Sequence, residues 1–188
     1  MEPLVEAVAD AIRPYVDVPF ALFGHSLGAA LAFELARVLD VEPIHLFVSA
    51  RRAPHLPERT PPIAHLPSAE FIRSVQQRYA GIPQAVLDSP DLLDLLLFRL
   101  RADFEVLENY RHLTGAPLGC PISAFGGRDD LTVTAAELAG WSEHTSAGLR
   151  TRTLAGPHLF LQDQRQAILA AVGEDLRIAT SAGTRAAV

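Results

Sequence analysis

The feature that most constrains this chain is the pentapeptide GHSLG at residues 24–28 and the segments on either side of it. Phe20 to Phe23 is a continuous apolar run, which predicts a strand buried on both faces. Leu27 to Leu39 is rich in Ala and Leu and predicts a helix that packs closely on a sheet. A serine between two glycines at a strand-to-helix turn is typical of a nucleophile elbow, in which strained backbone dihedrals project the hydroxyl outward.

The tightness of such a turn explains why glycines flank the serine. We expect a side chain at Gly24 or at Gly28 to clash with neighbouring backbone. The helix that begins at Leu27 directs its free N–H groups and the positive end of its dipole toward Ser26. The backbone N–H of Leu27 is therefore a candidate donor in an oxyanion hole.

Further strands follow the elbow and predict the α/β class. Ile44 to Ser49 completes a strand–helix–strand unit, and the segments Pro121 to Phe125 and Leu149 to Leu154 predict two more strands. Leu149 to Leu154 places four polar residues between two leucines, which predicts a strand near a sheet edge. We expect a mostly parallel sheet flanked by helices.

The segment between the second and third predicted strands is too long for an ordinary connection. It begins Pro-rich and continues with helical patterns, and insertions of that size usually form lids or binding elements. The sequence therefore predicts a helical lid at about 55–118. With 188 residues in all, we expect the lid to lie inside a single domain spanning 1–188.

Composition excludes several classes of function. The 16 basic and 22 acidic residues give a net charge of −6, which speaks against a nucleic-acid or polybasic membrane-surface partner. The sequence lacks both an apolar run long enough to span a membrane and a secretion signal, so a cytoplasmic location is expected. The single cysteine, Cys120, cannot form an intrachain disulfide, and no metal-binding or nucleotide-binding motif occurs. We expect neither a metal nor a cofactor.

A serine nucleophile needs a histidine base and a carboxylate that holds the base. Of the seven histidines, His158 follows the last predicted strand and so lies on the same rim of the sheet as the elbow, whereas His25 should point away from the serine hydroxyl. Asp129 and Asp130 both follow the third strand; we favour Asp130 and leave Asp129 open. The chain order Ser…Asp…His matches that of the fold in which this elbow occurs.

The long helix of the insertion carries leucines and a phenylalanine on nearly every side. One face can pack on the body of the protein, and the rest must meet another group. We predict that Leu96, Phe98 and Leu100 line an acyl channel leading to Ser26. The alternative is an ordinary helix buried among its neighbours.

Several longer stretches resemble one family: FALFGHSLGAALAFELAR, LRADFEVLENYR, PISAFGGRDD with the following WSEHT, and GPHLFL. The sequence resembles the external (type II) thioesterases of polyketide and nonribosomal peptide biosynthesis, within the α/β-hydrolase superfamily. The resemblance implies that Ser26 attacks a thioester, His158 relays the proton and Asp130 orients the imidazole. It also implies hydrolysis of acyl groups from the phosphopantetheine arm of an acyl or peptidyl carrier protein, with no dissociable cofactor.

The sequence departs from that family in three places. Phe98 stands where the family usually has proline, and Pro157 replaces a usual glycine before the histidine. The resembled fold also has several strands before the elbow, with a loop that supplies the second oxyanion donor, whereas only one helix precedes the elbow strand here. We therefore expect an N-terminally short hydrolase fold of reduced activity. An esterase for small soluble esters and a non-catalytic hydrolase-like binding module are the alternatives.

Overall fold

A four-stranded, fully parallel sheet forms the centre of the computed structural model. The structure describes the backbone of residues 1–79 and 81–186 and the side chains of residues 1–79 and 81–181. The strands are β1 (Ala21–His25), β2 (His45–Ser49), β3 (Ile122–Gly127) and β4 (Leu149–Leu154), in the order β1-β2-β3-β4. The predicted α/β class is confirmed.

Helices cover both faces of this sheet. They are α1 (Glu2–Ile12), α2 (Leu27–Val38), α3 (Ser68–Tyr79), α4 (Gln84–Leu87), α5 (Pro90–Glu108), α6 (Ala135–Ala139) and α7 (Arg165–Ala186), with 3₁₀ turns at Arg13–Tyr15 and Gly140–His144. Phe33 of α2 and Leu138 of α6 join one apolar cluster with Val48 of the sheet, and α1 packs on the outside of α2. Ile168 of α7 packs in a second cluster on the opposite face, around Phe47 and Phe125.

The central and outer strands differ in burial. Every residue of β2 and β3 is buried, in keeping with the near-continuous apolar runs expected of parallel strands covered on both faces. β4 lies at one edge of the sheet, as predicted, and its residues are exposed or half-buried without strict alternation. The prediction that the β1 segment is buried on both faces is wrong: within the described residues β1 is the other edge strand, and Phe23 is 43% exposed.

The connection between β2 and β3 contains α3, α4 and α5, which share an apolar cluster of their own around Phe71, Val75 and Leu97. The prolines early in this segment keep it irregular before α3 begins at Ser68. The description of this segment as a lid inside one domain stays a prediction.

A buried polar network fastens α7 to the sheet. Asp175 is 1% exposed, and its carboxylate accepts hydrogen bonds from Ser123 Oγ at 2.7 Å and from Arg152 Nη1 at 2.6 Å. His45 Nε2 lies 2.9 Å from the same Ser123 hydroxyl, and Arg150 adds an ion pair to Asp175 at 2.5 Å. Burial opposes ionisation of Asp175, but the hydrogen bonds from Arg152 and Ser123 outweigh it and hold its pKa well below the ordinary value.

Candidate active site

The turn after β1 has the geometry of a nucleophile elbow. Ser26 has φ 53° and ψ −116°, a conformation that side chains rarely adopt, and its N–H donates to the Ser49 carbonyl at 2.8 Å. A Cβ atom on Gly24 would lie 2.0 Å from the carbonyl oxygen of Gly28, so only glycine fits there. The expectation of a clash at Gly28 is wrong, because a Cβ at that position meets nothing within 4 Å.

Three loops at the carboxyl ends of parallel strands bring Ser26, His158 and Asp130 together. Ser26 Oγ lies 3.0 Å from His158 Nε2, and His158 Nδ1 lies 2.9 Å from Asp130 Oδ2. His158 is 4% exposed and Asp130 9%. Asp129 is exposed and instead accepts a 3.3 Å hydrogen bond from the Gly156 N–H. Of the two aspartates left open by the sequence, Asp130 is therefore the one that contacts the imidazole.

Thr132 supports this arrangement, and the sequence analysis did not identify it. Its backbone N–H and its hydroxyl donate to Asp130 Oδ1 at 2.8 and 2.7 Å, and the same hydroxyl oxygen lies 3.0 Å from His158 Nδ1. Burial opposes ionisation of Asp130, but the hydrogen bonds from His158 and Thr132 outweigh it and lower its pKa. The signal available in the sequence was a threonine two residues after an aspartate, a spacing that favours an Asx turn.

Two glycines allow the loop after β4 to reach over β3. A Cβ on Gly127 would lie 2.5 Å from the Gly156 carbonyl oxygen and 2.7 Å from that of Pro157. Gly156 has φ +114°, which strains any other residue. Glycine at 127 and 156 thus allows the close approach of the loop that carries His158.

Two aromatic rings border the imidazole. The ring centroid of Tyr79 lies 4.8 Å from that of His158, edge to face, and burial raises the pKa of the Tyr79 hydroxyl. His25, expected to point away from the serine hydroxyl, borders the same cavity as Ser26 and has its ring 5.2 Å from that of His158. Burial, and then the neighbouring His158, lower the pKa of His25 to about 4, so His25 is uncharged at neutral pH.

A cavity of about 400 Å³ opens onto Ser26. Its walls are mostly apolar and come largely from the β2–β3 connection: Val75, Tyr79, Gly81, Leu96, Leu100, Asp103, Phe104 and Leu107. Leu96 and Leu100, two of the three residues predicted to line a channel, lie in this wall. The third, Phe98, does not line the cavity and is 78% exposed. Residues four apart share one face of a helix, whereas a residue two positions on is rotated by about 200°.

A second cavity, of about 250 Å³, meets the first at Ser26, Tyr79, Leu107 and His158. Its walls are more polar, and the charged side chains that line it are Arg51, Arg52, Glu58 and Arg59. Ser26 therefore lies where an apolar cavity and a polar, arginine-lined cavity join.

The start of α2 faces this junction. Leu27 is the first residue of α2, so its N–H has no acceptor within the helix, and Leu27 lines the apolar cavity. In the part of the chain that the structure describes, no group of three or more histidine, cysteine or acidic side chains is placed to hold a metal ion. Among the same residues, no helix is both long and apolar enough to cross a membrane.

The family model of the thioesterase domain matches residues 1–176. The chain belongs to this family. The thioesterase is 39% identical over 181 residues to linear gramicidin dehydrogenase LgrE of Brevibacillus parabrevis, covering 93% of this chain and 68% of that protein. It is 38% identical over 182 residues to gramicidin S biosynthesis protein GrsT of Aneurinibacillus migulanus, covering 95% of this chain and 71% of that protein.

Solved structures agree with this assignment. The thioesterase superimposes on RedJ, a thioesterase from the prodiginine biosynthetic pathway in Streptomyces coelicolor, with a TM-score of 0.85 at 36% identity, covering 93% of this chain and 71% of RedJ. BorB, a type II thioesterase from the borrelidin biosynthetic cluster, gives a TM-score of 0.84 at 36% identity, with coverage of 93% and 72%. The predicted relationship to type II thioesterases is confirmed, and with it the thioester hydrolase class.

Proposed function

We propose that this thioesterase hydrolyses acyl thioesters from the phosphopantetheine arm of an acyl or peptidyl carrier protein, and so edits stalled or mis-primed polyketide or nonribosomal peptide synthases. The observation that carries the proposal is the continuous hydrogen-bonded path from Ser26 through His158 to Asp130 at the junction of the two cavities. Because carrier proteins and their synthases work in the cytoplasm, we expect this enzyme to act there.

The proposed mechanism follows from these distances. Ser26 Oγ attacks the thioester carbonyl while His158 Nε2 accepts its proton at 3.0 Å. Asp130 holds the Nδ1–H of His158 and stabilises the imidazolium that forms. The carbonyl oxygen, now negatively charged, faces the Leu27 N–H. His158 then protonates the departing thiolate, and in a second round removes a proton from the water that cleaves the acyl–serine ester.

The two cavities suit the two halves of such a substrate. The apolar cavity of about 400 Å³ accommodates an acyl chain. The arginine-lined cavity suits the amide groups of the pantetheine arm, since Arg51, Arg52 and Arg59 carry more N–H donors than their ion pairs with Glu58 and Glu137 use. The β2–β3 connection contributes to both cavities, which supports its role as a lid inserted at about 55–118 in a single domain.

The test compares substrates and labels the serine. The purified protein is assayed with acyl-pantetheine, acyl-carrier protein and p-nitrophenyl esters, and is treated with a fluorophosphonate before and after the Ser26→Ala substitution. We expect labelling of the wild type only, and a larger kcat/KM for the pantetheine thioesters. Ser142→Ala, at an exposed position, is the matched control and should be labelled like the wild type. Preference for p-nitrophenyl esters would favour a soluble esterase, and absence of labelling would favour a binding module.

A further inference from the structure

One charged side chain interrupts the apolar wall of the cavity. The residues of α5 that line it are Leu96, Leu100, Asp103, Phe104 and Leu107, spaced as one face of a helix. Asp103 is the one member of this stripe with a formal charge. The other ionisable groups in the described lining are His25, Tyr79 and His158.

The side-chain carboxylate of Asp103 makes no hydrogen bond or ion pair with another residue in the described ranges, although its backbone lies within α5. Arg99, one turn earlier on α5, is exposed and makes no ion pair within 4.0 Å, and Arg101 instead donates to the Ala64 carbonyl and to Ser68 Oγ. Asp103 borders the cavity while its residue stays largely exposed to solvent, and the partial burial of its carboxyl group raises the pKa. A carboxylate in such a wall is stabilised most by a cation that enters the cavity.

The charges of the two cavities are opposite in kind. Three arginines and Glu58 line the polar cavity, and these arginines pair with Glu58 and with the nearby Glu137, whereas the carboxylate in the apolar cavity is unpaired. A cationic group on the acyl half of a thioester is therefore attracted to the apolar cavity, while the polar cavity keeps a small positive excess because two glutamates offset only part of the charge of its three arginines. An acyl chain that carries a carboxylate experiences the reverse.

We propose that Asp103 is a specificity-determining residue that pairs with an ammonium group on the acyl chain, so that the cavity selects amine-bearing acyl thioesters over alkyl chains of the same length. The inference rests on the proposed function, because it assigns the acyl chain to this cavity. An alkyl chain that fills the cavity removes water from Asp103 and returns no hydrogen bond, whereas an ammonium group supplies up to three donors.

The experiment compares matched substrates across variants of one position. The pantetheine thioesters of hexanoic, 2-aminohexanoic and 6-aminohexanoic acid are hydrolysed by the wild type, Asp103→Asn and Asp103→Leu. A charge-assisted contact in a partly solvated cavity is expected to give the better of the two amino substrates about a tenfold advantage in kcat/KM relative to hexanoyl, lost in both variants. Asp94→Asn, an exposed position of α5 outside the cavity lining, is the control and should keep the wild-type ratio.

A binding measurement separates this inference from the proposed function. The same three thioesters are titrated calorimetrically into the Ser26→Ala protein with and without Asp103→Asn. Tighter binding of an amino form that disappears with Asp103→Asn supports the inference even if the wild type hydrolyses none of them, a result that would overturn the proposed function alone. Amino-to-alkyl ratios that stay the same in the wild type, Asp103→Asn and Asp103→Leu would overturn the role of Asp103, whatever the rate of hydrolysis.

Discussion

Replacement of Thr132 by valine tests the part of the site that the sequence did not reveal. Valine has nearly the shape of threonine but lacks the hydroxyl that donates to Asp130 Oδ1 at 2.7 Å and lies 3.0 Å from His158 Nδ1. The backbone N–H of residue 132 still donates to Oδ1 at 2.8 Å, so the carboxylate keeps part of its support. The change therefore isolates one hydrogen bond to a buried charge.

The expected decrease in rate follows from the loss of this one hydrogen bond. A hydrogen bond to a charged group contributes about 1.5–3 kcal/mol, and each 1.36 kcal/mol changes a rate about tenfold. If the hydroxyl fixes the carboxylate that orients His158, Thr132→Val should lower kcat for an acyl-pantetheine thioester by about 10- to 100-fold. The second-order rate of fluorophosphonate labelling at Ser26 should fall in parallel, because both reactions use the same activated hydroxyl.

The same substitution has a defined dependence on pH. The pKa of Asp130 is lowered in the folded protein, so its stabilising contribution is present above its unfolded pKa of about 3.9 and is lost as pH falls through the folded pKa. The valine variant should be less stable than the wild type in chemical unfolding at pH 7, and the difference should shrink below about pH 4. Thr132→Ser, which keeps the hydroxyl, should behave like the wild type. Equal labelling rates for the valine variant and the wild type would refute this reasoning.

Two further predictions concern the elbow and the buried network. Gly24→Ala places a Cβ atom 2.0 Å from the Gly28 carbonyl oxygen and should lower the melting temperature and abolish labelling. Gly28→Ala places a Cβ atom that meets nothing within 4 Å, so this variant should keep the wild-type melting temperature. Similar melting curves for the two variants would contradict the geometry. Asp175→Asn removes the buried charge that pairs with Arg150 and Arg152, whose side chains are 46% and 24% exposed, and should lower the free energy of unfolding at pH 7 by about 1.5–3 kcal/mol. Because the pKa of Asp175 is lowered, the destabilisation caused by Asp175→Asn should diminish as pH falls below about 4. Chemical unfolding of the variant and the wild type at pH 7 and pH 3 measures this change. The same difference in unfolding free energy at both pH values would contradict the role of the network.

The sequence predicted those parts of the fold that depend on local pattern. Buried parallel strands are continuous apolar runs, so β2 and β3 could be located to within one or two residues. The residues that meet at the rim could also be named, because the carboxyl ends of parallel strands lie at one edge of a sheet. His158 was predicted in this way, and Ser26 was predicted from the GHSLG motif.

What the sequence did not predict depends on contacts between distant segments. The burial of β1 depends on how many neighbours pair with it, which its own residues do not encode. Phe98 was grouped with Leu96 and Leu100 because all three are apolar, and helical phase separates them. The hydrogen bonds between His45, Ser123 and Asp175 join residues that are far apart in sequence, so no local sequence pattern predicts them.

The proposed reacting groups and the cavity walls come from different parts of the chain. Ser26, Asp130 and His158 lie at the rim of the sheet, while half of the residues that line the apolar cavity come from α3 and α5. Substitutions in those helices can thus reshape the cavity without moving Ser26, His158 or Asp130, the proposed reacting groups. Because α3 and α5 both lie in the β2–β3 connection, exchange of this one contiguous segment would change the cavity while the rest of the fold stays the same.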